Sequence, residues 1–350
     1  MEIHAIGIDL GKTLFHLVGL DSNGAVVVRK KCSRSQLLTF TANVRVHRIG
    51  MEACGGAHFL GRALRGQGHD VRLMPAQYVK PYVKTNKSDY IDAEAIAEAV
   101  QRPTMRFVPI KTEEQLDLQA VHRVRERWVT RRTAVVNQIR SLLQERGVTL
   151  PKGRSHLDEA LPNILVDRDS KLSGSFRVLL KQLKVELDQL TERIEKMDQL
   201  IQDRVKEDEA CQRLTTIPGI GPVTATALVA AIGNAAGFRK GRDLAAWVGM
   251  TPRECSTGGK QKLLGISKHG NVYLRKLFVQ GARAVMRYRA RQSPTLSAWL
   301  AQLLARTHQN VAIVALANKL VRIAWAILCK NEVYRPPVLA AATCLPGAPE

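Results

Sequence analysis

Four carboxylates and a short run of hydroxyls have the types and spacing that phosphate chemistry needs. Asp9 ends the apolar run His4–Ile8 in Ile-Gly-Ile-Asp-Leu-Gly-Lys, where neighbouring glycines let a ligand approach the backbone. A turn-capping aspartate would look the same in isolation. Glu52 follows a second apolar run, Arg45–Met51, in Gly-Met-Glu-Ala-Cys-Gly-Gly. Asp89 and Asp92 are spaced i, i+3 in Asn-Lys-Ser-Asp-Tyr-Ile-Asp-Ala-Glu-Ala, so they share one face of a helix's first turn. Acidic residues there also suit the helix dipole. Hard oxygen ligands from two strand ends and a helix start can hold two Mg²⁺ ions about 4 Å apart, the arrangement used to cleave phosphodiesters.

Two later segments extend the chemistry. Ile217-Pro-Gly-Ile-Gly-Pro-Val-Thr-Ala has the small-residue pattern of a helix-hairpin-helix, whose backbone amides can face a phosphate. An ordinary tight helix–helix turn shares that pattern. Thr251-Pro-Arg-Glu-Cys-Ser-Thr-Gly-Gly-Lys reads as a polar loop between apolar helices, followed by Gly265-Ile-Ser-Lys-His-Gly-Asn. A serine here can serve as a nucleophile, with lysine and arginine stabilising a phosphoryl transition state. On spacing alone the segment reads as a phosphate-binding loop first.

The positioning elements follow from hydropathy. His4–Ile8, Phe15–Leu20, Ala25–Arg29, Arg45–Met51 and Asp70–Met74 read as strands, with helices at His58–Gln67 and from Asp89 to about Gln101. This is an α/β unit over 1–110. Apolar residues then recur every three or four positions from Glu113 to Arg146 and from Leu179 to Val205. That predicts a linker of two long helices over 111–208, as an antiparallel hairpin or a dimerising coiled coil. A helical unit is expected over 209–335, and a disordered proline-bearing tail over 336–350.

Charge narrows the partners. The 350 residues carry 53 Lys+Arg and 31 Asp+Glu, a formal net charge of +22. Residues 211–350 alone hold 19 basic and 4 acidic side chains, whereas 111–210 hold 19 and 18. A polyanion, with nucleic acid first among them, is the expected partner. Aromatic residues at 5% argue against a protein devoted to stacking single-stranded bases. The six cysteines form no C-x-x-C pair, which suits free thiols in a reducing cytoplasm and no zinc site. Met1–Gly7 is short and followed by Asp9 and Lys12, so no signal peptide is expected there. Val311–Cys329 is long and apolar, but Asn318, Lys319 and Arg322 interrupt it, so a buried helix with a polar edge is expected and no membrane partner.

Taken in order, Gly7–Lys12, Gly50–Gly56, Asn86–Ala99, Ile217–Ala227, Ala245–Lys260 and Gly265–Met286 resemble the insertion sequence one-ten family. These are the DEDD transposases that act as RNA-guided DNA recombinases of bacterial insertion sequences. The similarity is greatest to the branch with Ser-Thr-Gly-Gly-Lys and Gly-Ile-Ser-Lys-x-Gly-Asn signatures. Cys255 beside the serine is a local departure. The resemblance implies a RuvC-like (RNase H-like) domain, a coiled-coil linker and a helical transposase domain. It implies that Asp9, Glu52, Asp89 and Asp92 are the acidic tetrad holding Mg²⁺, and that Ser256, ahead of Thr257 or Ser267, is the nucleophile. It further implies a composite active site in a homodimer or homotetramer, donor and target DNA as substrates, a structured noncoding guide RNA, and a nucleoid-associated, cytoplasmic location.

Three other readings are carried forward. Ile-Gly-Ile-Asp-Leu-Gly-Lys-Thr also resembles the phosphate loop of actin-like sugar and acetate kinases, but no second Asp-x-Gly-x-Thr follows. A RuvC-like nuclease acting with water would need the carboxylates and not Ser256. A non-catalytic nucleic-acid or junction-binding protein would need neither.

Overall fold

Alternation of apolar and small residues drives the first strands together. The computed structural model describes residues 3–84, 88–167, 172–289 and 292–336. Its N-terminal part holds β1 (Ile3–Leu10), β2 (Leu14–Leu20), β3 (Val26–Ser33), α1 (Arg34–Ala42), β4 (Val46–Glu52), α2 (Ala57–Gly66), β5 (Val71–Met74), the single turn α3 (Ala76–Val79) and α4 (Asp89–Ala99). The five strands make one sheet in the order β3-β2-β1-β4-β5. β1–β2 and β2–β3 are antiparallel, and β1–β4 and β4–β5 are parallel. Each of the five strands expected from the sequence is present, with ends shifted by a residue or a few.

The two sheet faces are covered differently. Ile6, Ile8, Leu17, Ile49, Met51 and Leu73 pack with Leu37 of α1 and Leu60 and Leu64 of α2. On the opposite face lies α4, rich in alanine, with Ala93, Ala95, Ile96, Ala97 and Ala99 buried. It can come this close because of two glycines. A Cβ on Gly7 would sit 2.0 Å from the Ala93 carbonyl oxygen and 2.4 Å from the Ala97 nitrogen, and one on Gly50 would sit 2.8 Å from the Val100 side chain. Gly7 and Gly50 are paired across β1 and β4, so the strands offer α4 a flat floor.

α1 is not expected from hydropathy. Its signal is a capping box: the Ser33 amide donates to Gln36 Oε1 at 2.9 Å, and the Gln36 amide donates to Ser33 Oγ at 3.4 Å.

Among the described residues, the rest of the chain is helical apart from one hairpin. It comprises α5 (Glu113–Gln144), α6 (Arg154–Val166), α7 (Gly174–Glu207), α8 (Glu209–Thr215), α9 (Pro222–Ile232), α10 (Gly241–Trp247), β6 (Pro252–Glu254), β7 (Leu263–Ile266), α11 (Val272–Arg287), α12 (Pro294–Arg306) and α13 (Gln309–Lys330). Contacts divide the chain into two compact units, Met1–Leu116 and Asp117–Glu350.

Within the second unit, α5 and α7 run antiparallel, joined by Arg125–Asp198 (2.5 Å) and Arg131–Glu186 (2.8 Å) ion pairs. Between them the sequence suggests only a loose segment, and the structure places α6 there. Pro151, Gly153 and Pro162 hide its Leu157/Leu161 stripe, which packs with Ile139, Leu143 and Leu180. α13 is long and apolar enough to cross a membrane by length and composition. It is instead the centre of the C-terminal core, with Leu316, Ala317, Leu320, Val321 and Ala324 buried against α10 and α11 residues such as Leu244 and Phe278. The tail beyond 336 lies outside the described residues, as do Asn86 and Lys87.

Candidate active site

β1 and β4 end side by side, and the pleat decides where their last side chains point. Ile8 pairs with Met51, both fully buried on the α1/α2 face. Asp9 and Glu52, one residue on, therefore turn to the other face, the one that carries α4. The close Gly7–Ala93 contact then delivers the first turn of α4, and with it Asp89 and Asp92, to the same end of the sheet.

The electrostatics record the convergence. Burial, then the charges of Asp92 and Asp89, push the Asp9 carboxyl above the ordinary 3.8; His16 and the Leu10 amide pull the other way. Burial followed by the charges of Glu52 and Asp9 raises the Cys54 thiol, so that thiol reports both strand-end carboxylates. The structure thus brings Asp9, Asp89 and Asp92 together, with Glu52 at the end of the adjacent strand.

One member of the cluster is missed by sequence reasoning. His16 of β2 is paired directly with Asp9 across the antiparallel ladder. Its Nδ1 lies 3.4 Å from Asp89 Oδ2, and its ring stands edge-on to Tyr90 with centroids 4.9 Å apart. Donor atoms of Asp9, His16 and Asp89 all lie within 4.8 Å of one another. A signal exists: a hairpin centred on Lys12–Thr13 pairs positions 9 and 16. Like charges gathered on a half-buried site are relieved by a cation, and the donor set suits a divalent one. The residues present therefore fit a divalent metal.

The serine segment is the connection of a β-hairpin, between β6 and β7. Thr257 and Lys260 bridge, with the Lys260 amide donating to the Thr257 carbonyl at 3.0 Å. Gly258 and Gly259 between them have φ of +54° and +76°, the pair of left-handed residues that a tight two-residue hairpin turn demands. The Cys255 amide donates to the Lys262 carbonyl, extending the ladder past Ser256. Ser256 Oγ donates to Glu254 Oε1 at 2.6 Å, and Gln261 Nε2 donates to the same oxygen at 3.3 Å. Sequence reasoning does not single out Glu254. Of the three hydroxyls considered, Ser256 is the one bonded to a carboxylate among the described residues. Thr257 is taken up in the turn, and the Ser267 amide donates to the Thr251 carbonyl.

The other glycine-bearing motifs have packing reasons. A Cβ on Gly270 would sit 1.8 Å from the Trp247 carbonyl oxygen, so the backbone there lies directly on α10. Asn271 caps α11 by accepting from the Leu274 amide at 3.0 Å. Gly219, with φ of +85°, meets Gly281 of α11 backbone to backbone, so a Cβ on Gly281 would lie 2.0 Å from the Gly219 carbonyl oxygen. The segment is the helix–turn–helix of α8 and α9, and close packing accounts for Gly219.

Residues 6–147 match the transposase family model DEDD_Tnp_IS110, and residues 211–297 match the model Transposase IS116/IS110/IS902 family. The chain is 45% identical over 337 residues to the "Probable family 20 transposase" of Pseudomonas aeruginosa, covering 96% of this chain and 100% of that protein. It is 42% identical over 334 residues to the transposase for insertion sequence element IS1111A of Coxiella burnetii, covering 95% and 92%. A shorter similarity, 30% over 154 residues and 42% of this chain, reaches the pilin gene-inverting protein of Moraxella bovis, of which it covers 45%. With its carboxylate cluster at the strand ends and near full-length similarity to transposases, the chain belongs to the IS116/IS110/IS902 family of transposases, enzymes that act on DNA.

Proposed function

We propose that this transposase moves an insertion sequence by Mg²⁺-dependent strand exchange through a serine–phosphate bond to DNA. The observation that carries the reading is the convergence of Asp9, His16 and Asp89 donor atoms within 4.8 Å at the end of the sheet. The strand order β3-β2-β1-β4-β5, with acidic residues at the ends of β1 and β4 and the start of α4, supports an RNase H-like, RuvC-like domain over 1–110. A linker over 111–208 and a transposase domain over 209–335 complete the arrangement.

Asp9, Glu52, Asp89 and Asp92 would hold the metal, with His16 orienting Asp89. Bound there, a divalent ion supplies positive charge to the phosphoryl oxygens on which charge builds during transfer. The chain's own groups do the rest. Ser256 Oγ attacks phosphorus as Glu254 takes its proton; the new P–Oγ bond replaces the P–O bond to the departing strand, whose oxygen takes that proton from Glu254 and leaves as a hydroxyl. Attack by the hydroxyl of the incoming strand reverses these bond changes, its proton passing to Glu254 and from there to Ser256 Oγ as the P–Oγ bond breaks. One phosphodiester is exchanged for another, so no external energy source is needed.

The function in the Moraxella relative's name, inversion of a gene, is the kind of outcome in which broken strands are rejoined, and it favours exchange over hydrolysis. Recombining two DNA sites calls for more than one copy, a homodimer or homotetramer that assembles carboxylates and serine into one composite site. A structured guide RNA would read sequence by base pairing, leaving the protein the backbone-holding task that a +22 charge serves.

The test is to express the protein with its element's flanking noncoding DNA and both DNA sites, extract under denaturing conditions, and look for DNA covalently attached to protein. An adduct in the natural chain that is lost in Ser256→Ala supports the reading. Cleaved DNA without adduct, unchanged in Ser256→Ala, would establish a nuclease that uses water.

A further inference from the structure

α13 carries most of its charge on one stripe, and that stripe borders a cleft. Lys319 and Arg322 of α13, Lys240 just before α10 and Arg242 within it line a concavity of about 700 Å³ together with Trp299 of α12 and Trp325 of α13. Among the described residues, no acidic side chain lines it. Among the described residues, none of these four cations has an ion-pair partner. Asp243, the nearest acid in sequence, is occupied with the Lys240 amide at 3.2 Å and does not face the cleft.

Four unneutralised cations around one hollow repel each other, an arrangement that an anionic ligand relieves. The floor is built for contact. A Cβ on Gly241 would meet Arg322 Cα and carbonyl oxygen at 3.2 Å, so the glycine lets α10 press onto α13 and brings Lys240 and Arg242 beside Lys319 and Arg322. Lys319 Nζ lies over the Trp299 ring, 4.4 Å from its centroid, so a phosphate that draws the ammonium off the ring leaves an indole face free beside it. Trp325 is anchored through Nε1 to the Phe238 carbonyl at 3.0 Å, which fixes that wall.

Cations beside an indole match a nucleotide whose base is free to stack, and a hollow of this volume accepts a small molecule or nucleotide. A base held inside a duplex cannot enter it. We propose that this cleft is a DNA-binding site for an unpaired nucleotide, gripping its phosphates with Lys240, Arg242, Lys319 and Arg322 and stacking its base on Trp299. DNA is favoured because the family acts on DNA, and the strand exchange proposed above, on which this choice of occupant rests, would expose unpaired nucleotides. The site concerns binding alone, so it does not depend on Ser256 or the carboxylates being catalytic.

The experiment is fluorescence anisotropy of a labelled mixed-sequence single-stranded DNA with the full chain across a range of salt. The double variant Lys319→Ala/Arg322→Ala should lower the slope of log affinity against log salt by about 1.4, at about 0.7 for each phosphate contact on a single strand. Trp299→Ala should weaken binding about tenfold with the slope unchanged, and Trp299→Phe should recover part of that. Lys181→Ala/Arg193→Ala, which removes two exposed cations of α7, should leave both readings close to the natural chain. Equal losses in the α7 and cleft variants would overturn the proposal, since only diffuse charge would then be at work. So would a loss confined to a matching RNA probe, which would make the cleft an RNA contact. A thermal melt of each variant that matches the natural chain shows that the fold is intact; a Trp299→Ala protein that melts early is replaced in the comparison by Trp299→Phe, whose unchanged affinity would equally contradict the stacking role.

Discussion

The carboxylate cluster and the serine hairpin are built in opposite ways. Asp9 and Glu52 stand at the ends of strands whose neighbours Ile8 and Met51 are fully buried, and α4 is pressed onto Gly7 and Gly50 with no room for a side chain between. The hairpin of β6 and β7 has almost every residue exposed and is held by its own ladder and a two-glycine turn. A site that gathers like charges needs a scaffold stiff enough to hold them against repulsion. The nucleophile proposed for Ser256 would need reach more than rigidity, and Glu254, the last residue of β6, sits in the same hairpin and hydrogen-bonds to it. Preorganisation is thus concentrated where the electrostatic cost is greatest.

The largest expected effect lies in chemistry. Asp92→Ala and Ser256→Ala should each lower transposition by at least about a thousandfold in a donor-to-target assay. The two should differ in one respect: only the serine variant removes the group proposed to form the adduct, and its melting curve should stay that of the natural chain. Full recombination in Asp92→Ala would break the assignment of the carboxylates.

Next comes the scaffold. Gly7→Val places methyl groups where a Cβ alone would already be 2.0 Å from the Ala93 carbonyl oxygen, so it should cost at least about 3 kcal/mol and dislodge α4. Denaturant titration would show it as a lower midpoint, together with lost activity. The hairpin counterpart is milder. Gly258→Ala and Gly259→Ala force alanine to φ of +54° and +76°, each costing about 1–2 kcal/mol of local hairpin stability. Amide exchange in β6 and β7 should speed up while global melting is unchanged.

The smallest effect sharpens the charge argument. Because the Asp9 carboxyl is raised above its ordinary 3.8, the fold holds that proton more tightly than the unfolded chain does. The metal-free protein is then stabilised below the ordinary carboxylate range and loses that contribution as pH rises through the raised value. Asp9→Asn should therefore melt higher than the natural chain at pH 7 without divalent ions, with the gap closing as pH falls toward 3.8. A gap that widens on acidification would contradict it.

Legibility in the sequence follows locality. Strands and long helices are readable because period-two and period-3.6 patterns are written in consecutive residues, and the four carboxylates are readable because each ends an apolar run or starts a helix. His16 is not, because its meaning comes from a partner seven positions away across a hairpin, and its own neighbours, Phe15 and Leu17, only say "strand". α6 is hidden by prolines that its packing with α5 and α7 overrides. The serine hairpin is concealed by polarity: exposed strands lack the apolar alternation that marks buried ones, although Thr-Gly-Gly-Lys is a turn signal in itself. Glu254 gains its significance only once that ladder sets it beside Ser256.

Calorimetric titration of a divalent cation into the metal-free protein tests the central claim most directly. Mg²⁺, or Mn²⁺ as a tighter-binding probe, should bind the natural chain and the Glu254→Ala variant alike, and binding should be lost in Asp9→Ala and in Asp92→Ala. Undiminished binding in both aspartate variants would show that the cluster at the strand ends is not a metal site.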